Sequence, residues 1–139
     1  MNRMWMALCV SAALGACASA GGEDELGDLL AGGRAPPARL ERLVAEAARH
    51  PLGSRENPIR VNMPAGERAY LSRLRCSDGG APAYERQGNG GAGAFGSIVD
   101  IYLVRCLGGE PRQTTIWMDM YHPQHNETAA PPGFTLSPH

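Results

Sequence analysis

The sequence contains no lysine, and all thirteen of its cationic side chains are arginine. Without lysine the chain cannot form a Schiff base, hold a phosphate with a P-loop lysine, or use a lysine as a general base. It also lacks an excess of either charge, because thirteen Arg and fourteen acidic residues give a net charge of −1. A nucleic-acid partner, which requires a basic surface, is therefore not expected.

The sequence patterns of several common catalytic sites are missing as well. There is no GxSxG, no HExxH and no CxxC in the chain. The 139 residues suffice for one small domain, and 43% apolar with 19% charged residues is an ordinary globular composition. We therefore expect one folded domain that is not an enzyme and that needs no cofactor.

Long hydrophobic runs are missing too, and the apolar run from Met4 to Leu14 is too short to span a membrane, which takes about 20 apolar residues. The run follows the positive charge of Arg3 and leads into small residues. This order of charge, apolar run and small residues is typical of a secretory signal. From the residues alone, a plain signal peptide could be cleaved after Ala16, Ala18 or Ala20.

The signal ends in Leu14-Gly15-Ala16-Cys17, which resembles the lipobox of bacterial membrane lipoprotein precursors. The resemblance implies cleavage before Cys17 and transfer of diacylglycerol to the Cys17 thiol. Two or three acyl chains, at ~0.8 kcal/mol per buried methylene, then make attachment to a membrane effectively permanent. The resemblance also implies the periplasmic face of the outer membrane, because Ala18 stands where the family's retention signal is Asp.

The chain divides into three parts on this interpretation. Residues 1–16 form the lipoprotein signal peptide, residues 17–35 a flexible acidic tether, and residues 36–139 a small α+β domain with a Pro-rich tail. The tether contains two glycine pairs and four acidic residues before its first arginine, a composition that favours a flexible spacer.

The cysteine positions predict one disulfide bond. Cys9 leaves with the signal and Cys17 is consumed by the lipid, so only Cys76 and Cys106 remain in the exported domain. An even pair in a compartment that permits disulfides is most simply a bridge. Two separate buried thiols, or a metal site built on the pair, are the alternatives.

The pattern of apolar residues after residue 35 predicts an α+β domain. In residues 36–50, helical spacing is shown by Leu40, Leu43, Val44 and Ala47. Short β-branched and aromatic runs then predict strands at Ile59–Met63, Arg68–Cys76, Ser97–Cys106 and Thr114–Tyr121, with a weaker one near Ala83–Arg86. We expect one amphipathic helix packed on a small, mostly antiparallel sheet of four to five strands.

Both cysteines of the predicted disulfide lie at the C-terminal ends of predicted strands. A simple antiparallel hairpin of these two strands would place the sulfurs at opposite ends. Either the two strands run parallel, or one cysteine lies beyond its strand and folds back.

Two segments lack a clear periodic pattern. Residues 87–96 contain five glycines, which predicts a mobile surface loop, with closure over a peptide or small anion as the alternative. The Pro-rich tail, residues 128–139, is expected to be extended, with Phe134 and Leu136 packing against the core as an edge strand. Disorder of the tail is the alternative.

Side chains of the types that bind zinc occur within nine residues near the C-terminus, at Asp119, His122, His125 and Glu127. A metal or ligand site is one interpretation of this cluster. A polar turn after the last strand, or a catalytic His122 oriented by Asp119, are the others. If the strand runs to Tyr121, Asp119 faces away from His122.

The sequence thus predicts a lipid-anchored envelope lipoprotein, most simply a non-enzymatic binding or structural module. Its first partner is the membrane, through the lipid on Cys17. Residues 55–112 hold eight Arg against six acids, a modest bias that most simply indicates a solvated arginine face. Docking on another envelope protein or an anionic envelope component is the alternative. The competing hypothesis is a small metal- or ligand-dependent enzyme that uses Asp119, His122, His125 and Glu127.

Overall fold

The structure, a computed structural model, describes residues 35–138, and in this part of the chain the predicted α+β class is confirmed. The helices are α1 (Pro37–Ala47) and α2 (Met63–Arg73). The strands are β1 (Ile59–Arg60), β2 (Leu74–Arg75), β3 (Ala83–Ala92), β4 (Ile98–Arg105), β5 (Gln113–Asp119) and β6 (Thr135–Leu136). Within residues 35–138, neither helix is long and apolar enough to cross a membrane.

Four of the strands form one mixed sheet in the order β1-β5-β4-β3. The contacts β3–β4 and β4–β5 are antiparallel, as expected, whereas β1 runs parallel to β5. The strands predicted at Ser97–Cys106 and Thr114–Tyr121 are present as β4 and β5, but β5 ends two residues earlier than predicted, at Asp119. Strand β4 lies between β5 and β3, and its side chains Val99, Tyr102 and Val104 are buried. The sheet is therefore built around the two strands whose apolar runs are longest.

The strand predicted at Arg68–Cys76 is wrong, because most of this segment belongs to helix α2. The predicted strand Ile59–Met63 is shortened for the same reason, since the helix already begins at Met63. Proline in the first turn is compatible with a helix start. The buried positions follow the helical spacing i, i+3, i+4, i+7, and they are Glu67, Tyr70, Leu71 and Leu74. An acidic residue in the first of these positions hid the pattern.

The glycine-rich segment is a strand over most of its length, so the predicted loop is wrong for residues 87–92. The weak strand near Ala83–Arg86 is real and continues as β3, with register shifts where the glycines occur. A Cβ atom at Gly90 would overlap the ring of Trp117, and one at Gly93 would overlap Val99. These glycines therefore allow β3 and the following turn to lie close against side chains of the neighbouring strands.

The predicted disulfide between Cys76 and Cys106 is present, with 5.9 Å between the Cα atoms. Each cysteine directly follows its strand, β2 or β4, but these two strands do not pair with each other. Strand β2 instead pairs antiparallel with β6, so the expected packing of the tail as an edge strand is confirmed. Phe134, just before β6, is buried in the core. The bridge thus joins the small sheet to the large one.

A buried carboxyl group lies between α2 and the large sheet. Glu67 is only 1% exposed, and its Oε2 accepts a hydrogen bond of 2.9 Å from the hydroxyl of Tyr102. Within residues 35–138 its Oε1 has no hydrogen-bond partner. Burial raises the pKa of Glu67 to about 7, and the nearby Asp100 adds to the rise, although Tyr102, Arg86 and Arg68 oppose it. Glu67 therefore binds a proton more readily in the folded chain than in the unfolded one.

We predict that Glu67 makes the folded state less stable as pH rises from about 4.5 to about 7, because the folded state prefers the protonated form. Glu67→Gln should remove this part of the pH dependence. At pH 8 the variant should be more stable by about 1–3 kcal/mol, because it avoids ionisation of a buried carboxyl and each unit of raised pKa corresponds to about 1.4 kcal/mol. Urea unfolding between pH 4 and pH 8 measures both effects.

The exposed Glu85 provides the matched control, because its carboxylate lies at the surface of β3. Glu85→Gln should leave the pH profile parallel to that of the unmodified chain. A Glu67→Gln profile that is also parallel would contradict the assignment.

Candidate functional site

The four residues of the predicted metal or ligand site separate into two pairs. His122 Nε2 lies 3.3 Å from Asp119 Oδ2, and His125 Nε2 lies 3.1 Å from Glu127 Oε2. Among residues 35–138 no group of three or more His, Cys, Asp and Glu side chains is placed to hold a metal ion. The four residues are therefore neighbours along the chain, but they do not converge on one metal position.

The expectation that Asp119 faces away from His122 is wrong, because strand β5 ends at Asp119. Beyond the strand the chain turns, and the N–H of His122 donates to the carbonyl of Val61, 3.1 Å away. This turn directs the imidazole of His122 back toward the Asp119 carboxylate. Strand alternation, which would keep the two side chains on opposite faces, no longer applies past the end of the strand.

Asp119 is a fully buried carboxylate that is held by donors from two other parts of the chain. The hydroxyl of Ser97, just before β4, donates to Oδ2. The backbone N–H of Tyr121 donates to Oδ1 at 3.1 Å. The parallel register of the sheet pairs Asp119 with Arg60 on β1. Hydrogen bonds to the charged form allow a carboxylate to remain inside a small domain.

His122 is the buried imidazole of the site, with 8% of its surface exposed. Its Nε2 is buried and makes no hydrogen bond with the rest of residues 35–138, although Asp119 Oδ2 lies within ion-pair distance. The ring of Phe95 meets the imidazole edge-on, with 5.4 Å between the ring centres. His122 is thus fixed in position by packing while one of its nitrogens keeps an unused hydrogen-bonding capacity.

The second pair holds Glu127 as an anion. Burial alone raises its pKa, but hydrogen bonds from the N–H of Ala129, from His125 and from the N–H of Thr128 outweigh burial and lower it. Both carboxylate oxygens are used, because Oε1 accepts the two backbone N–H groups and Oε2 faces His125. Glu127 therefore orients His125.

Arg60 supplies a cation beside these two pairs. Its guanidinium lies over the ring of Phe95, 5.7 Å from the ring centre. Burial lowers the pKa of Arg60, whereas the charges of Glu127 and Asp119 raise it. Within the described part of the chain, no carboxylate lies within the 4.0 Å that defines an ion pair with Arg60. Arg60 is thus a partly buried cation whose N–H donors are not used by the domain itself.

These side chains meet at a cleft of about 290 Å³. A cleft of this size is at the small end of the range for ligand sites in proteins. Apolar lining comes from Ala35, Leu40 and Pro123, with the ring of Phe95 buried behind it. The polar lining residues are Arg60, Ser97, Tyr121, His122, Gln124 and His125. Asp119 and Glu127 do not line it. The cleft therefore presents a cation and hydrogen-bonding groups without exposing a carboxylate.

Sequence reasoning found both histidines but missed Arg60, Phe95 and Ser97. Arg60 was one of many arginines, and its role depends on the parallel pairing of β1 with β5, which joins segments about 60 residues apart. Phe95 and Ser97 lie on either side of Gly96, the last residue of the glycine-rich segment. The isolated aromatic residue Phe95 is the sequence feature that could have indicated a site there.

We predict that Ser97→Ala destabilises the fold by about 1.5–3 kcal/mol, because it removes a hydrogen bond to the buried charge of Asp119. Ser72→Ala is the matched control, since the exposed Ser72 hydroxyl donates only to the carbonyl of Ala69 in its own helix. The control should change stability by less than about 0.5 kcal/mol. Urea denaturation measures both variants, and equal effects would contradict the role of Ser97.

Comparisons with known proteins assign no family to this chain. No family model matches it, and neither the curated proteins nor the solved structures contain a match. Function is therefore inferred from the chemistry of the cleft and from the residues around Cys17.

Proposed function

We propose that the chain is a lipid-anchored protein of the bacterial cell envelope whose domain binds a small ligand in the cleft between Arg60, His122 and His125. Cys17 carries the lipid, and the domain faces the periplasm from the outer membrane. In this proposal the module is not an enzyme. The observation that carries the binding role is the cleft itself, which is lined by Arg60, a cation that forms no ion pair within residues 35–138, and by His122 and His125.

The anchor is supported by the residues at the N-terminus. Leu14-Gly15-Ala16-Cys17 follows an apolar run that is too short to remain as a membrane span. The pairing of Cys76 with Cys106 is consistent with export, because disulfides persist in oxidising compartments such as the periplasm.

Helix α1 is part of the proposed binding module. Leu40 lines the cleft together with Phe95, and Leu43 and Ala47 line a neighbouring depression that includes Ala92 of β3. We propose that the apolar stripe of α1 packs over this end of the sheet and forms one wall of the binding site. The other face of the helix is then free to meet solvent.

The geometry of Ser97 favours binding over covalent catalysis. In the common serine nucleophile an imidazole takes the hydroxyl proton, whereas the Ser97 hydroxyl donates to the Asp119 carboxylate, which is buried and does not line the cleft. The second candidate function is an enzyme in which His122 acts as a general base, and the 3.3 Å approach of Asp119 to its ring is the observation that favours it.

We predict that cells fed a fatty-acid analogue will label the chain, and that Cys17→Ser will abolish the label. Cys9→Ser is the matched control, because Cys9 lies within the proposed signal peptide and is removed with it. Gel electrophoresis of the immunoprecipitated chain provides the measurement. Label on the Cys17→Ser variant equal to that on the unmodified chain would contradict the lipid anchor.

We predict that benzamide, a neutral aromatic amide, will bind in the cleft, because its ring suits the apolar surface formed by Ala35 and Leu40. Titration should move the imidazole C–H NMR signals of His122 and His125. His50 is an internal control, since it lies beside the neighbouring depression. Unmoved signals at His122 and His125, or equal movement at His50, would contradict a ligand site in this cleft.

A further inference from the structure

We infer that the ligand of the cleft is an organic anion, a carboxylate joined to a small apolar body, and that Arg60 binds the carboxylate. This inference rests on the proposed function and names the class of ligand for that site. It depends on three features of the cleft: the unpaired cation, the engagement of nearby acids by other donors, and the apolar walls.

The first feature is the position of Arg60. Its guanidinium lies over the ring of Phe95, and in the part of the chain that the structure describes it forms neither an ion pair nor a hydrogen bond. Its N–H groups are therefore available to a ligand. Those groups form a fork that matches a carboxylate with two parallel hydrogen bonds.

The second feature explains why the nearby acids do not satisfy Arg60. Asp119 accepts hydrogen bonds from Ser97 and from the N–H of Tyr121, and it is fully buried beneath the cleft. Glu127 accepts hydrogen bonds from His125 and from two backbone N–H groups. Among residues 35–138, therefore, no carboxylate lines the cleft beside Arg60.

The third feature is the apolar part of the surface. Ala35, Leu40 and Tyr121 line the cleft with partly exposed side chains, whereas the Phe95 ring is buried. An inorganic anion would leave these walls in contact with water, whereas an aliphatic or aromatic group attached to the carboxylate would cover them. The imidazoles of His122 and His125, which also line the cleft, add hydrogen-bonding groups on the polar side.

The test compares benzoate with benzamide, which share a ring and differ in charge. Each is titrated into the whole chain, purified in mild detergent, and binding is read from the imidazole signals of His122 and His125 and from the side-chain N–H signal of Arg60. We expect benzoate to bind about tenfold more tightly than benzamide, because charge-assisted hydrogen bonds are roughly twice as strong as neutral ones.

Arg60→Gln should weaken benzoate binding more than benzamide binding and so remove the preference for benzoate. Arg55→Gln is the matched control, because Arg55 also stacks on an aromatic ring, that of Trp117, at 5.5 Å, but does not line this cleft. The control should keep the full preference. Arg60→Lys, which keeps the charge but loses the fork, should keep only part of it, and this variant carries the test if Arg60→Gln does not fold.

The outcomes separate the inference from the proposed function. If benzamide moves the cleft signals but benzoate binds no more tightly, the anion inference is overturned and a neutral-ligand site remains. A preference for benzoate that survives both Arg60 variants also overturns it. If neither probe moves the signals of His122 and His125, the proposed binding function is overturned, and the inference with it.

Discussion

The buried charge of Asp119 is the constraint on which the cleft depends. A carboxylate in the interior of so small a domain must receive hydrogen bonds, because an isolated buried charge is very costly. Its donors come from Ser97 before β4 and from the turn after β5, so satisfying one side chain fixes the relative positions of two strands. The same turn sets His122 against Phe95, and the parallel strand β1 brings Arg60 alongside. The cleft thus lies over the buried Asp119 carboxylate, which is hydrogen-bonded within the domain.

The far side of the sheet is stabilised by apolar burial and by the covalent bridge. Helix α2 buries Tyr70, Leu71 and the adjoining Leu74 against residues of β4 and β5, and Phe134 closes the cluster from the tail. The disulfide spans 30 residues of chain, and a loop of this length stabilises a fold by about 3–4 kcal/mol in the chain-entropy account. Two independent sources of stability therefore act here, which lets the cleft side keep a cation and an imidazole nitrogen that the domain does not use.

The sequence predicted those elements that short runs of neighbouring residues determine. Strands β4 and β5 carry long β-branched and aromatic runs, and the cysteine pair follows from elimination once the N-terminal cysteines are assigned. Helix α2 was not predicted, because its buried face includes the acidic residue Glu67. The burial of Glu67 depends on a hydrogen bond from the hydroxyl of Tyr102, 35 residues away in the sequence. The length of strand β3 was not predicted, because Gly90 and the following Gly93 are required by close contact with Trp117 and Val99. These contacts are between residues that local sequence patterns do not place together. Arg60 shares a cleft with His122 only through the parallel pairing of β1 with β5, a long-range contact.

The cleft and the proposed anchor are connected through the chain between them. Ala35, the first described residue, lines the cleft, and Cys17 lies 18 residues before it in the sequence. A fully extended chain covers at most about 3.5 Å per residue, so a lipid on Cys17 would keep this side of the domain within about 60 Å of the membrane surface. The cleft would then lie where the tether joins the domain, because Ala35 is the last residue of the proposed tether and also lines the cleft.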